Sequence, residues 1–448
     1  MSPSLRRRIF NMKVENLSRK LITPSNPTPP HLEKLKISCL DQLLPPLHVS
    51  CIFYYQSSAH DELGVNNFQR SEQLQKSLSE TLTIFYPLSG RYSRSNFSIH
   101  CSDQGVEFVE AQVKGCCLSQ LLKGGELETK LRNQLAPSLF VPDDSPLVKV
   151  HFNMFECGGL AISVSISHVV ADAFTLFTFV NAWATASRVG IEKLHRPSFE
   201  LSSLCPPREM HPRGVLNQGE AEENKIVTIK YVFNGSDLSK LKLEAANAST
   251  ADGSKLLKEE PTRVEIVTAV IWRSLIRVAR ARRGYSRPSV LAIPVNMRGR
   301  AGPSIPQHCC GNFVHYAFAR FKPDDETNLQ FHELVGEVHN AIKSAIKDCG
   351  KACNGDEISL MAINDAKELA ETLGKAGVDG YLFSSWCRFA VYEADFGFGK
   401  PDWVSNLDNE MECFVFFMDT KDGEGIEAWV GLDDKSVLLF QHDLGILD

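Results

Sequence analysis

A histidine followed four residues later by an aspartate stands where a strand pattern gives way to a helix pattern. Apolar residues alternate with serines from Ile162 to His168, which predicts a half-buried strand with the imidazole on its apolar face. Apolar residues recur at helical spacing from Phe174 to Trp183, so Asp172 lies at the start of a helix, where the helix dipole favours negative charge. An imidazole that titrates near neutrality and is held at such a turn is suited to remove a proton from a substrate.

His168 has two other interpretations, a satisfied core residue and a metal ligand. Among the 13 histidines, only His168 has an acidic residue at the fourth position after it, which argues against a chance pairing. A metal site needs further ligands, as in His-Glu-x-x-His, and no second histidine stands within a dozen residues. We therefore predict no metal site, and the core interpretation stays open.

Length and charge limit the class of protein. A chain of 448 residues is too long for one ordinary core and suggests two domains of roughly 200 residues each. Hydrophobic residues make up 43% and charged residues 23%, which is globular composition. The net charge of -6 and the pI near 6.1 argue against nucleic-acid and anionic-membrane partners and favour a small molecule.

The 13 cysteines follow no metal-binding or disulfide pattern, because no Cys-x-x-Cys occurs. Unpatterned thiols in a large chain fit a reducing compartment. The residues after Met1 lack the apolar run of a secretory signal, and no stretch is long enough to span a membrane. These features predict a cytoplasmic location.

Periodicity disappears between residues 196 and 224, where prolines, glycines and glutamates cluster. We predict an N-terminal α/β domain over 1–195, a crossover loop over 196–224 and a C-terminal α/β domain over 225–448. In the second domain, Thr262 and Glu265 form a capping-box pattern before a helix. Apolar runs on both sides of Lys421–Gly425 predict a hairpin.

Other routes to group transfer lack their parts. Asp395-Phe396-Gly397 resembles the magnesium loop of protein kinases, but no His-Arg-Asp loop or Gly-rich phosphate loop accompanies it. No Gly-x-Ser-x-Gly elbow is present, so a serine nucleophile of that type is excluded and the histidine is expected to act on the substrate directly. Arginines near the end of the Thr262 helix either complement the helix dipole or hold the phosphates of a nucleotide-bearing donor.

Several segments in a fixed order resemble one family, the plant BAHD acyl-CoA-dependent acyltransferases. His168 to Asp172 resembles its HxxxD signature, and Asp395 to Pro401 resembles its DFGWG element, with Phe398 in place of the usual tryptophan. The supporting segments are Tyr86–Arg91, Val295–Arg298, Gly311–Phe313 and Ser385–Arg388. Within the family, three further segments are most similar to the vinorine synthase-like alkaloid O-acetyltransferases: Leu21–Ser25, Phe155–Gly159 and the hairpin from Met418 to Trp429.

This resemblance implies an α/β fold of two chloramphenicol-acetyltransferase-like domains with a solvent channel at their interface. The acyl-CoA donor and the alcohol acceptor then reach His168, the general base, from opposite sides. Asp172 is expected to be structural and to pair with Arg298, so that it orients the His168 turn. A monomer without a permanently bound cofactor is expected.

The resemblance also gives roles to other residues. Asp395, Gly397 and Gly399 are expected to be structural support. Residues near the oxyanion and the substrate are expected to be Ser384, Ser385 and Trp386. Candidate residues for binding coenzyme A are Thr262, Arg263, Arg277 and Arg280.

The predicted function is transfer of an acyl group, with acetyl favoured, from acyl-CoA to a hydroxyl of a plant alkaloid or terpenoid alcohol, without an acyl-enzyme. Two alternatives stay open. One is a hydroxycinnamoyl- or amine-directed transferase of the same family, and the other is a catalytically idle relative that binds a metabolite. An intact His168 and Asp172 favour a live enzyme.

Overall fold

The computed structural model describes residues 12–57, 65–124, 131–138, 144–209, 226–251, 259–302, 305–323, 329–407 and 413–444. Their contacts divide the chain into two compact units. As far as residues are described, the first unit is drawn from Met1–Pro212, Pro306–Asn312 and Phe389–Asp408, and the second from Arg213–Ile305, Phe313–Arg388 and Asn409–Asp448. The described residues include no helix whose length and apolarity would let it cross a membrane.

The strands are named in chain order. They are β1 (Lys13–Ile22), β2 (Lys34–Lys36), β3 (His48–Tyr55), β4 (Arg91–Ser93), β5 (Ser98–His100), β6 (Val106–Lys114), β7 (Val148–Phe155), β8 (Leu160–Ser167), β9 (Ile226–Phe233), β10 (Ser289–Asn296), β11 (Val314–Phe321), β12 (Asp379–Ser385), β13 (Trp403–Ser405), β14 (Phe414–Asp419) and β15 (Ile426–Asp433).

The α-helices follow the same convention. They are α1 (Val65–Ile84), α2 (Leu118–Leu121), α3 (Ala173–Val189), α4 (Leu201–Leu204), α5 (Gly235–Ala251), α6 (Arg263–Arg283), α7 (Phe331–Lys351), α8 (Gly355–Gly374) and α9 (Asp434–Leu444). Short 3-10 turns occupy Pro30–Leu32, Asp41–Leu43, Tyr86–Ser89, Ile191–Lys193 and Val391–Glu393.

The main sheet of the first unit has the strand order β1-β6-β7-β8-β3-β13 in the described part of the chain. Only β6 and β7 pair in parallel there; the other neighbours are antiparallel. Strand β8, which leads to the histidine, is flanked by β7 and β3 and lies inside the sheet.

The prediction of a half-buried β8 is wrong, because every residue of the strand is buried. Its serines Ser163, Ser165 and Ser167 have no exposed surface, and the Ser165 hydroxyl lies 2.7 Å from that of Ser50 on β3. Alternation of apolar and hydroxyl side chains was therefore no guide to exposure here. A neighbouring strand supplies a partner for the Ser165 hydroxyl, whereas the Ser163 and Ser167 hydroxyls are buried without one among the described residues.

Strand β13 joins the sheet of the first unit although it lies late in the chain. It pairs antiparallel with β3, and the Tyr54 and Trp403 rings stack with centroids 5.0 Å apart. The segment that carries Asp395 therefore belongs to the first unit, whereas the sequence prediction placed it in the C-terminal domain. Backbone pairing over three residues and ring stacking outweigh position along the chain.

The second unit is built on a sheet with the strand order β11-β10-β12-β14-β15-β9, as far as its residues are described. Helices α5, α6, α7 and α9 contribute buried residues to its core. The hairpin of β14 and β15 and the capping box of Thr262 and Glu265 are confirmed. The α/β class is confirmed for both units, while the channel between the domains stays a prediction.

The predicted crossover loop is only partly within the described residues. From Arg196 onward it contains the short helix α4 and a bridge in which Ser198 pairs with Cys309. Residues 210–225 lie outside the described part. The boundaries 1–195, 196–224 and 225–448 stay a prediction.

Candidate active site

The His168 turn lies between β8 and α3, where the sequence predicted it. Strand β8 ends at Ser167, and Asp172 is the N-cap residue of α3. The Asp172 Oδ1 accepts hydrogen bonds from the Thr175 amide at 2.8 Å and from its hydroxyl at 2.9 Å. A carboxylate at this position satisfies amides that the helix leaves unpaired and interacts favourably with the helix dipole. Asp172 therefore fixes the point at which the turn enters the helix.

The backbone of His168 is held at both of its polar groups. Its N–H donates to the Leu47 carbonyl at 2.7 Å, and its carbonyl accepts from the Asn312 side-chain amide at 2.6 Å. The residue as a whole is partly exposed, and its Nδ1 is buried without a hydrogen-bond partner among the described residues. The backbone is thus fixed, while Nδ1 of the ring makes no hydrogen bond within the described part of the protein.

Asn312 and Asp41 are site residues whose roles the sequence did not reveal. Asp41 Oδ1 accepts from the backbone N–H and from the side-chain Nδ2 of Asn312, each at 2.8 Å. Asp41 is 4% exposed and Asn312 is 1% exposed. The segment Gly311–Phe313 contributed to the family resemblance without a role, and an isolated aspartate after a strand-like run gives no signal of its own.

Burial lowers the pKa of the His168 imidazole below its usual value of 6.5, because a charged ring is poorly solvated there. The negative charge of Asp172 and the Asn312 side chain oppose this shift only in part. At pH 7 the ring is therefore mostly neutral, as a general base requires. Burial also raises the pKa of Asp41, against hydrogen bonds from Ser38 and Asn312.

The Asp395 loop is an independent structural feature of the first unit. Its Oδ1 accepts from the backbone N–H groups of Gly397 and Gly399, at 2.9 and 3.0 Å. Both glycines have positive φ, at 106° and 99°, a conformation that residues with a side chain rarely adopt. The Phe398 ring packs edge-on against Tyr55, so an aromatic residue is retained where the family usually has tryptophan.

Ser384, Ser385 and Trp386 lie at the end of β12 in the second unit. The Trp386 N–H donates to the Phe417 carbonyl at 2.8 Å, so this amide is already occupied. The Ser385 hydroxyl accepts from the Cys387 N–H at 3.4 Å. Both serines are partly exposed, which leaves their hydroxyls as the better candidates for an oxyanion donor.

Arg298 follows β10, also in the second unit, and is 9% exposed. Its Nη1 donates to Asn296 Oδ1 at 3.1 Å, and its guanidinium lies 6.0 Å from the centre of the Phe313 ring. The predicted pairing with Asp172 would join residues of two separately described units and stays a prediction.

The four candidate residues for coenzyme A belong to α6 and its cap but lie at opposite ends of that helix. The Thr262 hydroxyl accepts from the Glu265 amide, and Arg263 forms an ion pair with Asp419. Arg277 and Arg280 lie in the last two turns, roughly 20 Å away along the axis. These four residues therefore cannot surround a single phosphate group.

Neighbouring arginines of α6 have acidic partners. Arg282 pairs with Asp433, Arg283 pairs with Asp379, and Arg277 lies 3.8 Å from Asp443. These contacts favour the structural interpretation for Arg282 and Arg283.

Burial raises the pKa of several thiols, among them Cys51, Cys101, Cys116 and Cys349, and makes these thiols poor nucleophiles. Burial raises the pKa of Cys387, beside Trp386, to about 12, and the Asp419 charge adds to this. Within the described ranges, no three His, Cys, Asp or Glu side chains are grouped so that they could hold a metal ion.

Comparisons with known proteins cover nearly the whole chain. The Transferase family model matches residues 12–446. The chain is 36% identical over 445 residues to stemmadenine O-acetyltransferase of Catharanthus roseus, which spans 97% of this chain and 98% of that one. It is 34% identical over 437 residues to acetyl-CoA-benzylalcohol acetyltransferase of Clarkia breweri, which spans 96% and 98%.

The fold of this chain is similar to that of a solved plant enzyme structure. The crystal structure of vinorine synthase matches with a TM-score of 0.80 and 30% identity, covering 97% of this chain and 99% of that one. The similarity extends from the sequence to the arrangement of the elements, and it agrees with the chloramphenicol-acetyltransferase-like α/β fold predicted above.

Proposed function

Because the chain belongs to the transferase family of plant BAHD enzymes and is an acyl-CoA-dependent O-acyltransferase, we propose that His168 is the general base of this transfer. The observation that carries the proposal is the His168 turn. The N–H and the carbonyl of His168 are both held by hydrogen bonds. The pKa of its imidazole is lowered, and the residue is partly exposed. A fixed, neutral imidazole is suited to accept a proton from an alcohol.

The first step is attack of the acceptor oxygen on the thioester carbonyl. As the C–O bond forms, the hydroxyl proton passes to the imidazole, and the carbonyl electrons move to oxygen to give a tetrahedral oxyanion. A hydroxyl of Ser384 or Ser385 is the proposed donor to that oxyanion, since the Trp386 amide is occupied. The C–S bond then breaks, and the imidazolium returns the proton to the sulfur of coenzyme A.

Direct attack needs no acyl-enzyme. The best-placed thiol by sequence, Cys387, has a pKa of about 12 and carries almost no thiolate at neutral pH. The serines of β8 have no exposed surface, so they are closed to a substrate. The base therefore acts on the acceptor rather than on a protein nucleophile.

Asp172 has a positioning role in this proposal. Its Oδ1 is occupied by the Thr175 amide and hydroxyl, so it orients the turn rather than relaying a proton. We extend this role to a pair with Arg298, which the resemblance to the family implies, because loss of one partner of a buried ion pair strands the charge of the other. The four α6 candidates, Thr262, Arg263, Arg277 and Arg280, stay proposals for contacts along an extended coenzyme A.

The proposed donor is acetyl-CoA and the proposed acceptor is a hydroxyl of a plant alkaloid or terpenoid. The names of the relatives support acetyl transfer, since both are acetyltransferases. A hydroxycinnamoyl donor or an amine acceptor are the alternatives inside the family, and a catalytically idle metabolite-binding relative is the alternative outside catalysis. The cysteines follow no disulfide pattern in the sequence, which supports a reducing compartment, and we propose a cytoplasmic protein. The monomeric state that the family resemblance implies stays part of this proposal.

The test is release of free thiol from acetyl-CoA with a panel of alkaloid, terpenoid and aromatic alcohols, with product masses recorded. We expect acetylated products, and His168→Ala should lower kcat by about 10²–10⁴-fold with an unchanged melting temperature. Hydroxycinnamoyl-CoA and amines test the alternatives in the same assay. An active His168→Ala protein would contradict the assignment of the base, and product formation by no pair of substrates would favour the idle relative.

A further inference from the structure

We infer that Asp41 is a positioning residue for His168 that acts through the side-chain amide of Asn312. The inference rests on the proposed role of His168 and adds a residue to it. Asp41, Asn312 and His168 all belong to the first unit, although Asp41 and Asn312 lie 271 positions apart in the chain.

The three residues form a continuous chain of hydrogen bonds. Asn312 Nδ2 donates to Asp41 Oδ1 at 2.8 Å and to the His168 carbonyl at 2.6 Å. The Asn312 backbone N–H donates to the same carboxylate oxygen at 2.8 Å. The two protons of the amide are therefore both used, and each ends on a different acceptor.

The carboxylate decides which way the amide of Asn312 points. If the amide were reversed, its oxygen would face both the Asp41 carboxylate and the His168 carbonyl, so three acceptors would meet without a proton between them. Asp41 Oδ1 accepts from the Asn312 backbone N–H as well, so this oxygen acts as an acceptor and keeps Nδ2, not the amide oxygen, on the side of His168. The His168 carbonyl is thereby held by a group whose orientation another residue sets.

The segment from Asp41 to Leu47, just before β3, then acts on both backbone polar groups of His168, its N–H and its carbonyl. Leu47 accepts from the His168 N–H directly, and Asp41 acts on the carbonyl through Asn312. The imidazole follows the backbone to which it is attached. A shift of the turn by about 1 Å would move the base away from the acceptor hydroxyl, and displacements of that size can cost about 100-fold in rate.

The second oxygen of the carboxylate supplies a matched control. Asp41 Oδ2 accepts from the Ser38 backbone N–H at 3.0 Å and from its hydroxyl at 2.6 Å. Ser38→Ala removes a bond to the same buried carboxylate at the same depth, but on the side away from Asn312. Its effect measures the loss of a buried hydrogen bond without loss of the path to His168.

The kinetic test compares Asp41→Asn, Asn312→Ala, the double variant and Ser38→Ala in the full chain. Asp41→Asn and Asn312→Ala should each lower kcat by about 10–100-fold with KM for acetyl-CoA unchanged. The double variant should be no slower than Asn312→Ala, because both changes break one path. Ser38→Ala should keep kcat within about twofold even if its melting temperature falls.

A second readout does not depend on turnover. Diethyl pyrocarbonate modifies neutral imidazoles, and the rate at the His168 peptide can be followed by mass spectrometry. We expect that rate to rise at least about threefold in Asp41→Asn and Asn312→Ala and to stay unchanged in Ser38→Ala. If Asp41→Asn does not fold, Asp41→Glu takes its place, since it keeps the charge but displaces it by one methylene.

The outcomes separate this inference from the proposed function. Effects of Asp41→Asn on kcat and on modification that equal those of Ser38→Ala overturn the inference, as does a double variant in which the two losses multiply. A wild-type protein without transferase activity overturns the proposed function alone, because the modification rates still decide whether Asp41 positions His168.

Discussion

As the proposed general base, the His168 imidazole is expected to set the pH range of activity. Since burial lowers its pKa below 6.5, the ring loses its proton at a lower pH than a histidine in water. We therefore predict that kcat/KM falls as the solution is acidified with a midpoint below pH 6.5 and stays level between pH 7 and 8. Initial rates of thiol release in constant ionic strength buffers measure this profile.

The same shift affects stability with a defined sign. Between pH 6.5 and the lower folded-state pKa, the unfolded chain binds a proton that the folded imidazole does not, so this contribution is complete above pH 6.5 and declines as the pH falls. His151 acts in the same direction, because burial lowers its pKa to about 4. Urea unfolding at each pH is the control that separates loss of stability from loss of activity. A midpoint of the kcat/KM profile at or above pH 6.5 would contradict the prediction.

At the scale of single residues, the sequence points to the proposed base more directly than to the residues that hold it. His168 and Asp172 are four positions apart, so a local pattern reveals both. Asn312 lies 144 positions from His168, and its role depends on a side-chain bond to a backbone carbonyl. Such a bond is invisible in the identity of His168, because every residue has a carbonyl. Only the family resemblance drew attention to Gly311–Phe313.

Helix α3 is the element that fixes the turn, and Asp172 is its cap. Asp172→Ala should lower the free energy of unfolding by about 1–2 kcal/mol through loss of the cap alone, and it should lower kcat because the turn is no longer fixed. Asp172→Asn keeps an oxygen for the Thr175 amide and should recover about 1 kcal/mol relative to alanine. Urea unfolding and initial rates measure the two effects.

A cap on a different helix provides the control. Asn354 caps α8, and its Oδ1 accepts from the Glu357 amide at 2.9 Å. Asn354→Ala should lose a similar amount of stability without a change in kcat. An Asp172→Ala protein as stable as the wild type would rule out the cap role, whereas an Asp172→Asn protein of wild-type stability would argue against the pair with Arg298.

At the scale of elements, prediction worked where the signal is local. The capping box at Thr262 and the hairpin of β14 and β15 follow from a few neighbouring residues, and both are confirmed. The burial of β8 could not be predicted in this way, because it depends on the neighbouring strands β3 and β7 and on what covers both faces of the sheet. The partner of β13 is set by tertiary contacts, such as the hydrogen bond between the hydroxyls of Tyr54 and Ser405, which lie 351 positions apart in the chain.

At the scale of the whole molecule, neither unit is formed by one continuous half of the chain. The first unit takes Pro306–Asn312 and Phe389–Asp408 from the later part of the chain, and these supply Asn312 and strand β13. A fragment that ends at residue 225 should therefore show no cooperative unfolding transition. Circular dichroism during urea titration is the measurement, and mixing with a fragment of residues 226–448 should restore the transition.

Mixing the fragment of residues 1–225 with the fragment of residues 226–448 is the control for damage caused by dividing the chain. A fragment of residues 1–225 that unfolds cooperatively with wild-type stability would contradict the prediction. Composition identified residues 196–224 as the place where periodicity disappears, but no local pattern shows that the chain returns to its first unit twice. That return depends on pairing of β13 with β3, which is a property of the folded chain.

This return has a consequence during synthesis on the ribosome. After residue 209 has been made, roughly 200 more residues must be added before β13 exists, which takes about 10–40 s at ordinary rates of translation. Throughout this interval β3 has an open edge, and the carbonyl of His168 lacks its amide donor until Asn312 is made, about halfway through it. The nascent chain therefore presents an unpaired strand that chaperones can bind, and ribosome stalling before β13 is made should raise aggregation more than stalling after it has emerged.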